Sequence, residues 1–209
     1  MCIRDSNCDI GSAGNGIILS GGSDNRVENC VVHDNGDRGV VAASSSRLVI
    51  TGNRIYNHIG SAGSRHGIDL SYNCNAAQIT GNIVTNNYGQ GIRVYSCASP
   101  ALQNNIVAHS GQDGVYLQSC SSASVVNHTI YQNAGGVHGY YSPSLTLSGN
   151  RIFSNNGYGI YAENGAINGS GNLIYANTGT GLTLLSSPSS TIENNTFYRN
   201  TTVNLRLTG

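Results

Sequence analysis

The 209-residue sequence predicts an all-β chain: a β-solenoid of about nine coils of 22–24 residues, with three short strands per coil. Three observations carry this. The stretch Asn150-Arg-Ile-Phe-Ser-Asn155 followed by Gly159-Ile-Tyr161 returns twenty-two residues later as Asn172-Leu-Ile-Tyr-Ala-Asn177 followed by Gly181-Leu-Thr-Leu184. Apolar residues come in short alternating pairs set off by Gly and Asn, the pattern of strands and not of helices. Asn also recurs at fixed places in each lap.

The opening strand of each coil follows a Gly: Gly16, Gly39, Gly67, Gly91, Gly114, Gly136, Gly159 and Gly181, with Asn204 in the ninth place. The steps are 23, 28, 24, 23, 22, 23, 22 and 23. Behind the Gly stand Ile17, Val40, Ile68, Ile92, Val115, Val137, Ile160, Leu182 and Leu205. Two further on come Leu19, Ala42, Leu70, Val94, Leu117, Gly139, Ala162, Leu184 and Leu207. Strand side chains alternate, so both columns are expected to face inward, with a gap at Gly139.

A second marker is the column Asn7, Asn29, Asn53, Asn82, Asn105, His128, Asn150, Asn172 and Asn195. Two residues on, Val31, Ile55, Val84, Val107, Ile130, Ile152, Ile174 and Phe197 form a third expected inward column. Asn recurs five residues on at Asn87, Asn133, Asn155, Asn177 and Asn200. Stacked Asn side chains can accept and donate between coils and satisfy amides left unpaired by a sharp bend. A fourth column, Ile50, Ile79, Leu102, Val125, Leu147 and Ile192, marks the strand before the Asn turn. Four or so buried side chains at about 1.5–3 kcal/mol apiece do not offset ordering some 23 residues at about 1–2 kcal/mol each. A coil is therefore stable only when stacked.

The 10 acidic and 10 basic residues balance, which gives no attraction to nucleic acid or an anionic membrane. All ten basic residues are Arg. No apolar run reaches the roughly 20 residues of a membrane helix. Residues 1–6 fit no repeat and lack the make-up of a signal peptide, so they are set aside as a scar or artefact. Residues 7–209 are expected to form one solenoid domain, a monomer. Neither end offers a polar cap, which points to a piece of a longer protein.

The pattern Gly-Ile-x-Leu, a Ser-rich turn, Ile-x-x-Asn-x-Ile and Asn-Asn resembles the right-handed parallel β-helix repeat proteins. That superfamily includes pectate lyases, alginate lyases, mannuronan epimerases and periplasmic NosD-like proteins. The resemblance implies a right-handed, single-stranded parallel β-helix in an extracellular or periplasmic protein, with an exposed sheet face that serves as a polysaccharide groove. The chain departs from the enzymes' signatures. Asn-Thr-Asp, Asp-Asp, Arg-Ile-Lys and Tyr-Gly-x-Asp-Pro-His are all missing, and no Lys is present to pair with Arg. No catalytic residue carries over on a motif.

Alternation picks out the wet face directly. Two after the opening Gly runs the outward column Ile18, Val41, Asp69, Arg93, Tyr116, His138, Tyr161, Thr183 and Arg206; beside it stand Ser71, Tyr95, Gln118, Tyr140 and Glu163. Coils rise about 4.8 Å, so Asp69 to Tyr161 spans roughly 19 Å, room for a short oligosaccharide. Tyrosine rings stack on sugar faces. The long step inserts Ile59-Gly-Ser-Ala-Gly-Ser-Arg-His66, a loop expected to overhang this face and bring Arg65 and His66 beside Asp69, Arg93 and Tyr95.

A lyase or C5-epimerase acting on uronates needs a cation for the carboxylate, a base for the C5 proton and an acid for the leaving oxygen. Arg93 or Arg65 would neutralise, His66 or His138 would take the proton, and Tyr95 or Tyr116 would donate, with Asp69 among them. Tyr95, Gln118, Tyr140, Tyr161 and Glu163 would bind the glycan, expected to be an acidic polysaccharide. The competing reading is a non-catalytic accessory or adhesion solenoid whose face carries ordinary solvated strand residues. Hydrolysis fits less well, because paired carboxylates at about 5–9.5 Å are wanting. No cofactor is called for. Asp34-Asn35-Gly36-Asp37 resembles a fragment of a Ca²⁺ loop, but turns use the same residues. Cys74, Cys97 and Cys120 fall 23 apart and are read as a column of turn-filling thiols, since parallel Cβ vectors suit a disulfide badly.

Overall fold

In a computed structural model the chain is described over residues 4–60 and 64–209. Among the described residues there are no helices, and three parallel nine-stranded sheets run the length of the chain. Each coil contributes one strand to each sheet. The opening sheet holds Ile17–Ser20, Val40–Ala43, Ile68–Ser71, Ile92–Tyr95, Asp113–Gln118, Gly135–Tyr140, Ile160–Glu163, Leu182–Leu185 and Leu205–Thr208. The middle sheet holds strands such as Val49–Thr51, and the third such as Arg54–Tyr56.

Register is one lap per step. Ile68 pairs with Ile92 and Ile92 with Val115, so the inward columns stack as the spacing predicts. Ile68, Ile92, Val115, Leu70, Val94 and Leu117 are all fully buried, as are Ile50, Ile79 and Leu102 from the middle sheet. The gap at Gly139 is filled from across the core. Leu145, an extra buried residue at the start of Leu145–Ser148, reaches so close that a Cβ on Gly139 would lie 2.8 Å from its Cδ2. The opening glycines are required by close approach: at Gly91 a Cβ would fall 2.3 Å from Val107 Cγ1 and 2.7 Å from the Gly114 carbonyl oxygen.

The asparagine ladder forms where expected from Asn53 onward. Asn53 Nδ2 donates to Asn82 Oδ1, and Asn82 Nδ2 to Asn105 Oδ1, each at 2.9 Å. The run resumes as Asn150 to Asn172 (2.9 Å) and Asn172 to Asn195 (2.8 Å). A second ladder links Asn133, Asn155, Asn177 and Asn200.

The first two coils correct the register by one residue. Cys30, not Asn29, holds the ladder position and donates its N–H to Asn53 Oδ1 at 2.8 Å. Val32, not Val31, pairs with Ile55 and is buried. Asn7 and Asn29 instead take the left-handed place (both φ 54°) that Gly52 fills at φ 67°. Asn serves either role, so the letter alone does not tell the two columns apart. Arg4–Ser6, set aside as outside the repeat, forms a middle-sheet strand in register with Arg26–Glu28.

Candidate functional site

The outward column of the opening sheet is continuous. Asp69 pairs with Arg93, Arg93 with Tyr116, Tyr116 with His138 and His138 with Tyr161. The neighbouring column is also in register: Ser71, Tyr95, Gln118, Tyr140 and Glu163. A third row, which spacing alone did not reveal, comes from the residue just before each opening Gly. From there Arg38, Asp113 and Tyr158 lean over the face, in line with His66, which the insertion was expected to bring there. The alternation rule stops at the bend, so these positions carried no facing assignment; their fixed offset from the Gly was the available signal.

At one end of the face Asp69 is buried, with its side chain 4% exposed, and it is held between two arginines. Arg93 Nη1 donates to Asp69 Oδ1 at 2.7 Å, and Arg38 Nε lies 2.9 Å from Asp69 Oδ2 as an ion pair. Arg38 also lies 3.4 Å from Asp37 Oδ2. Arg93 retains a solvent-facing edge, with its guanidinium 5.2 Å from the Tyr95 ring centroid. The two arginines thus balance the two aspartates, and Arg93 stands beside the Tyr95 ring of the neighbouring column.

The insertion does not deliver both its candidates. Arg65 is turned aside: its guanidinium sits 3.8 Å over Tyr88 and donates to the Gly60 carbonyl, while its N–H donates to Asp37 Oδ1. His66 does lie beside Asp69, but it is buried, and its Nδ1 accepts the Gln90 N–H at 2.9 Å. Burial lowers its pKa to about 4, against a smaller opposing pull from Asp69. Residues 61–63 of the insertion lie outside the described residues.

The middle of the face is a knot of rings around His138. Tyr116 and Tyr161, one coil to either side, meet it edge-on at 5.0 and 5.1 Å. Tyr140 and Tyr158 close the remaining sides at 6.3 and 5.9 Å. Tyr158 Oη donates a short hydrogen bond to Asp113 and lies 3.4 Å from His138 Nδ1, which is 3.6 Å from Asp113 Oδ2. His138 Nε2 is buried with no hydrogen-bond partner. Burial raises the Tyr158 phenol strongly, with the Asp113 charge adding to it, and burial raises Tyr116 as well. Both stay protonated donors. Tyr116 Oη donates to Gln118 Oε1 at 3.0 Å.

Elsewhere the candidate residues are committed to the protein. Asp34 Oδ2 meets His33 Nδ1 at 2.6 Å, and Asp37 caps the Ser64 and Arg65 N–H groups. Among the described residues no three acidic, His or Cys side chains gather as a metal site. Cys74, Cys97 and Cys120 are buried free thiols, as the column reading has it. A hollow of about 870 Å³ lies away from the face, at the last coil, between Leu184, Ile192 and Leu207.

The sequence matches the family described as right-handed beta helix region over residues 2–107 and 66–209, together the whole repeat. No curated protein matches it. Among solved structures it is similar to the periplasmic alginate epimerase AlgG, with a TM-score of 0.77 and 20% identity over 93% of this chain and 49% of that one. It is also similar to the A-module of the Azotobacter vinelandii mannuronan C-5 epimerase AlgE4 (TM-score 0.70, 15% identity, 93% and 62% covered). A third similar structure is the enzymatically active domain of bacteriophage CBA120 tailspike protein 2 (TM-score 0.61, 12% identity, 95% and 41% covered). The chain spans about half the length of AlgG, and likeness at these identities is a likeness of fold. With the family match running along the whole coil stack, the chain belongs to the right-handed β-helix family.

Proposed function

We propose that this chain is a carbohydrate-active β-helix whose opening sheet holds an acidic polysaccharide along the face from Asp69 to Tyr161. The observation that carries this is the unbroken register Arg93–Tyr116–His138–Tyr161, a cation followed by rings on consecutive coils. Arg93 offers its free edge to a sugar carboxylate, and Tyr95, Tyr116, Tyr140 and Tyr161 offer ring surface and hydroxyls. Gln118 and Glu163 supply hydrogen bonds on the flank. The similar alginate epimerase and mannuronan C-5 epimerase support a polysaccharide as the ligand class, and the periplasmic one supports action outside the cytoplasm.

Uronate lyase or C5-epimerase chemistry would use Arg93 for the carboxylate and Tyr116 as the acid, with His138 and Asp113 handling the proton. One observation favours the accessory reading instead. Both histidines offered as bases are enclosed, His66 by Gln90 and burial and His138 by four tyrosines. The test runs the protein in native gels cast with alginate, polygalacturonate or xylan, and follows the same mixtures for unsaturated-product absorbance. Retardation with new absorbance supports an enzyme, and retardation alone supports an accessory binder. Unretarded migration in every gel refutes the proposal.

A further inference from the structure

The turn leaving each opening strand begins with a left-handed residue. Most coils fill this place with Gly, Ser or Asn: Gly21 (φ 73°), Ser44 (53°), Ser96 (52°), Ser119 (54°), Asn164 (54°) and Ser186 (46°). Two coils fill it with tyrosine, Tyr72 at φ 49° and Tyr141 at φ 46°. A bulky side chain is disfavoured in this region by contact between Cβ and its own backbone, and residues held there against preference gather at functional sites. Nothing in the turn requires the ring. The backbone bonds, Tyr72 N–H to the Tyr95 carbonyl and Tyr141 N–H to the Glu163 carbonyl, both 2.9 Å, are those a serine makes in sister coils.

Nor does core burial explain the tyrosines. Tyr72 is 57% exposed and Tyr141 52%, among the most open large side chains described. Each stands edge-on to a face residue: Tyr72 to Tyr95 at 5.1 Å and 86°, Tyr141 to Tyr140 at 4.6 Å and 75°. The two pairs therefore rise at the rim of the face, three coils or roughly 14 Å apart. Between them the rim drops to Ser96 and Ser119.

We propose that Tyr72 and Tyr141 are aromatic platforms that seat two separated sugar rings of one glycan chain lying along the coil axis. This rests on the reading of the face as a polysaccharide site and extends it to a rim it did not include. An exposed tyrosine stacks its ring on the apolar face of a pyranose, whether or not the sugar is charged. The low rim between the pairs leaves room for the intervening sugars.

The test is Tyr72→Ser, Tyr141→Ser and the double variant, compared with the unaltered chain in native gels containing alginate, polygalacturonate or xylan. Serine already stands at this place in four coils, so folding is expected to be kept or improved, with a melting temperature equal or higher. The expected result is several-fold weaker retention in each single variant and a loss of tenfold or more in the double, in whichever polysaccharide retards the unaltered chain. Unchanged retention in the double variant overturns the platforms and leaves the face reading standing. A lowered melting temperature assigns the rings a structural role and also overturns them. Absence of retardation for the unaltered chain overturns both proposals.

Discussion

His128 stands between Asn105 and Asn150 in the first ladder, and its link to Asn150 is one-sided. Its backbone N–H donates to Asn150 Oδ1 at 2.9 Å, but both its ring nitrogens are buried without a hydrogen-bond partner. The carbonyls of Leu102 and Asn105 approach the ring without an aligned bond. An asparagine here would accept from one coil and donate to the next, as Asn82 and Asn150 do. The imidazole fills the volume and breaks the relay.

His128→Asn is therefore expected to stabilise the fold. Satisfying buried polar groups is worth about 1–3 kcal/mol, which in a domain of this size raises the melting temperature by roughly 2–4 °C per kcal/mol. Thermal unfolding by circular dichroism measures it. An unchanged or lower melting temperature would mean that the larger ring's packing outweighs the missing bonds.

Acid should weaken the protein through three histidines. Burial lowers His58, His66 and His128 from 6.5 to about 4 each. The unfolded chain then takes up protons that the folded chain refuses, so stability is full above pH 6.5 and falls as pH drops from 6.5 towards 4. The loss is at most about 3 kcal/mol per histidine. Denaturant midpoints between pH 8 and 4 should decline over that window, and His128→Asn should make the decline shallower.

Asp69→Asn tests the charge arrangement on the face. The side chain keeps its size, but Arg38 and Arg93 lose the carboxylate between them. With both arginines about a quarter exposed, the expected cost is about 2–4 kcal/mol, below that of a fully buried pair. Retention by a polyanionic glycan should strengthen in the same variant, since Arg93 loses its carboxylate partner and Arg38 keeps only Asp37, while retention by xylan should not. The pair of measurements separates a structural aspartate from one that also sets ligand charge.

Thiol chemistry in the Cys74–Cys97–Cys120 column should be silent in the native state. Cys74, Cys97 and Cys120 are 0–1% exposed, so reagents such as dithionitrobenzoate should react with them only after unfolding. Dithiothreitol should leave the melting temperature unchanged.

Much of this architecture was legible in the residues because a coil repeats its physics every lap. The buried columns, the ladders and the outward row from Asp69 to Tyr161 follow from alternation and period. What escaped has local causes. Asn29 and Cys30 exchanged roles because asparagine suits both a left-handed bend and a ladder rung. Arg38, Asp113 and Tyr158 reach the face from before the opening Gly, where no alternation reports direction. Arg65 left the face for the Tyr88 ring and an Asp37 cap, a choice made by contacts two coils apart that no local pattern encodes.

The claim that a polysaccharide lies on the opening sheet is tested most directly by tyrosine-ring NMR. The 12 tyrosines fall into separable groups. Tyr131, Tyr175 and Tyr198 belong to a stacked ladder with Phe153 on the third sheet, while Tyr95, Tyr116, Tyr140 and Tyr161 lie on the opening sheet. Titrating ring-labelled protein with alginate oligosaccharides should shift the opening-sheet signals and leave the ladder signals still. Shifts in the ladder alone, or in no tyrosine with any oligosaccharide, would contradict the account.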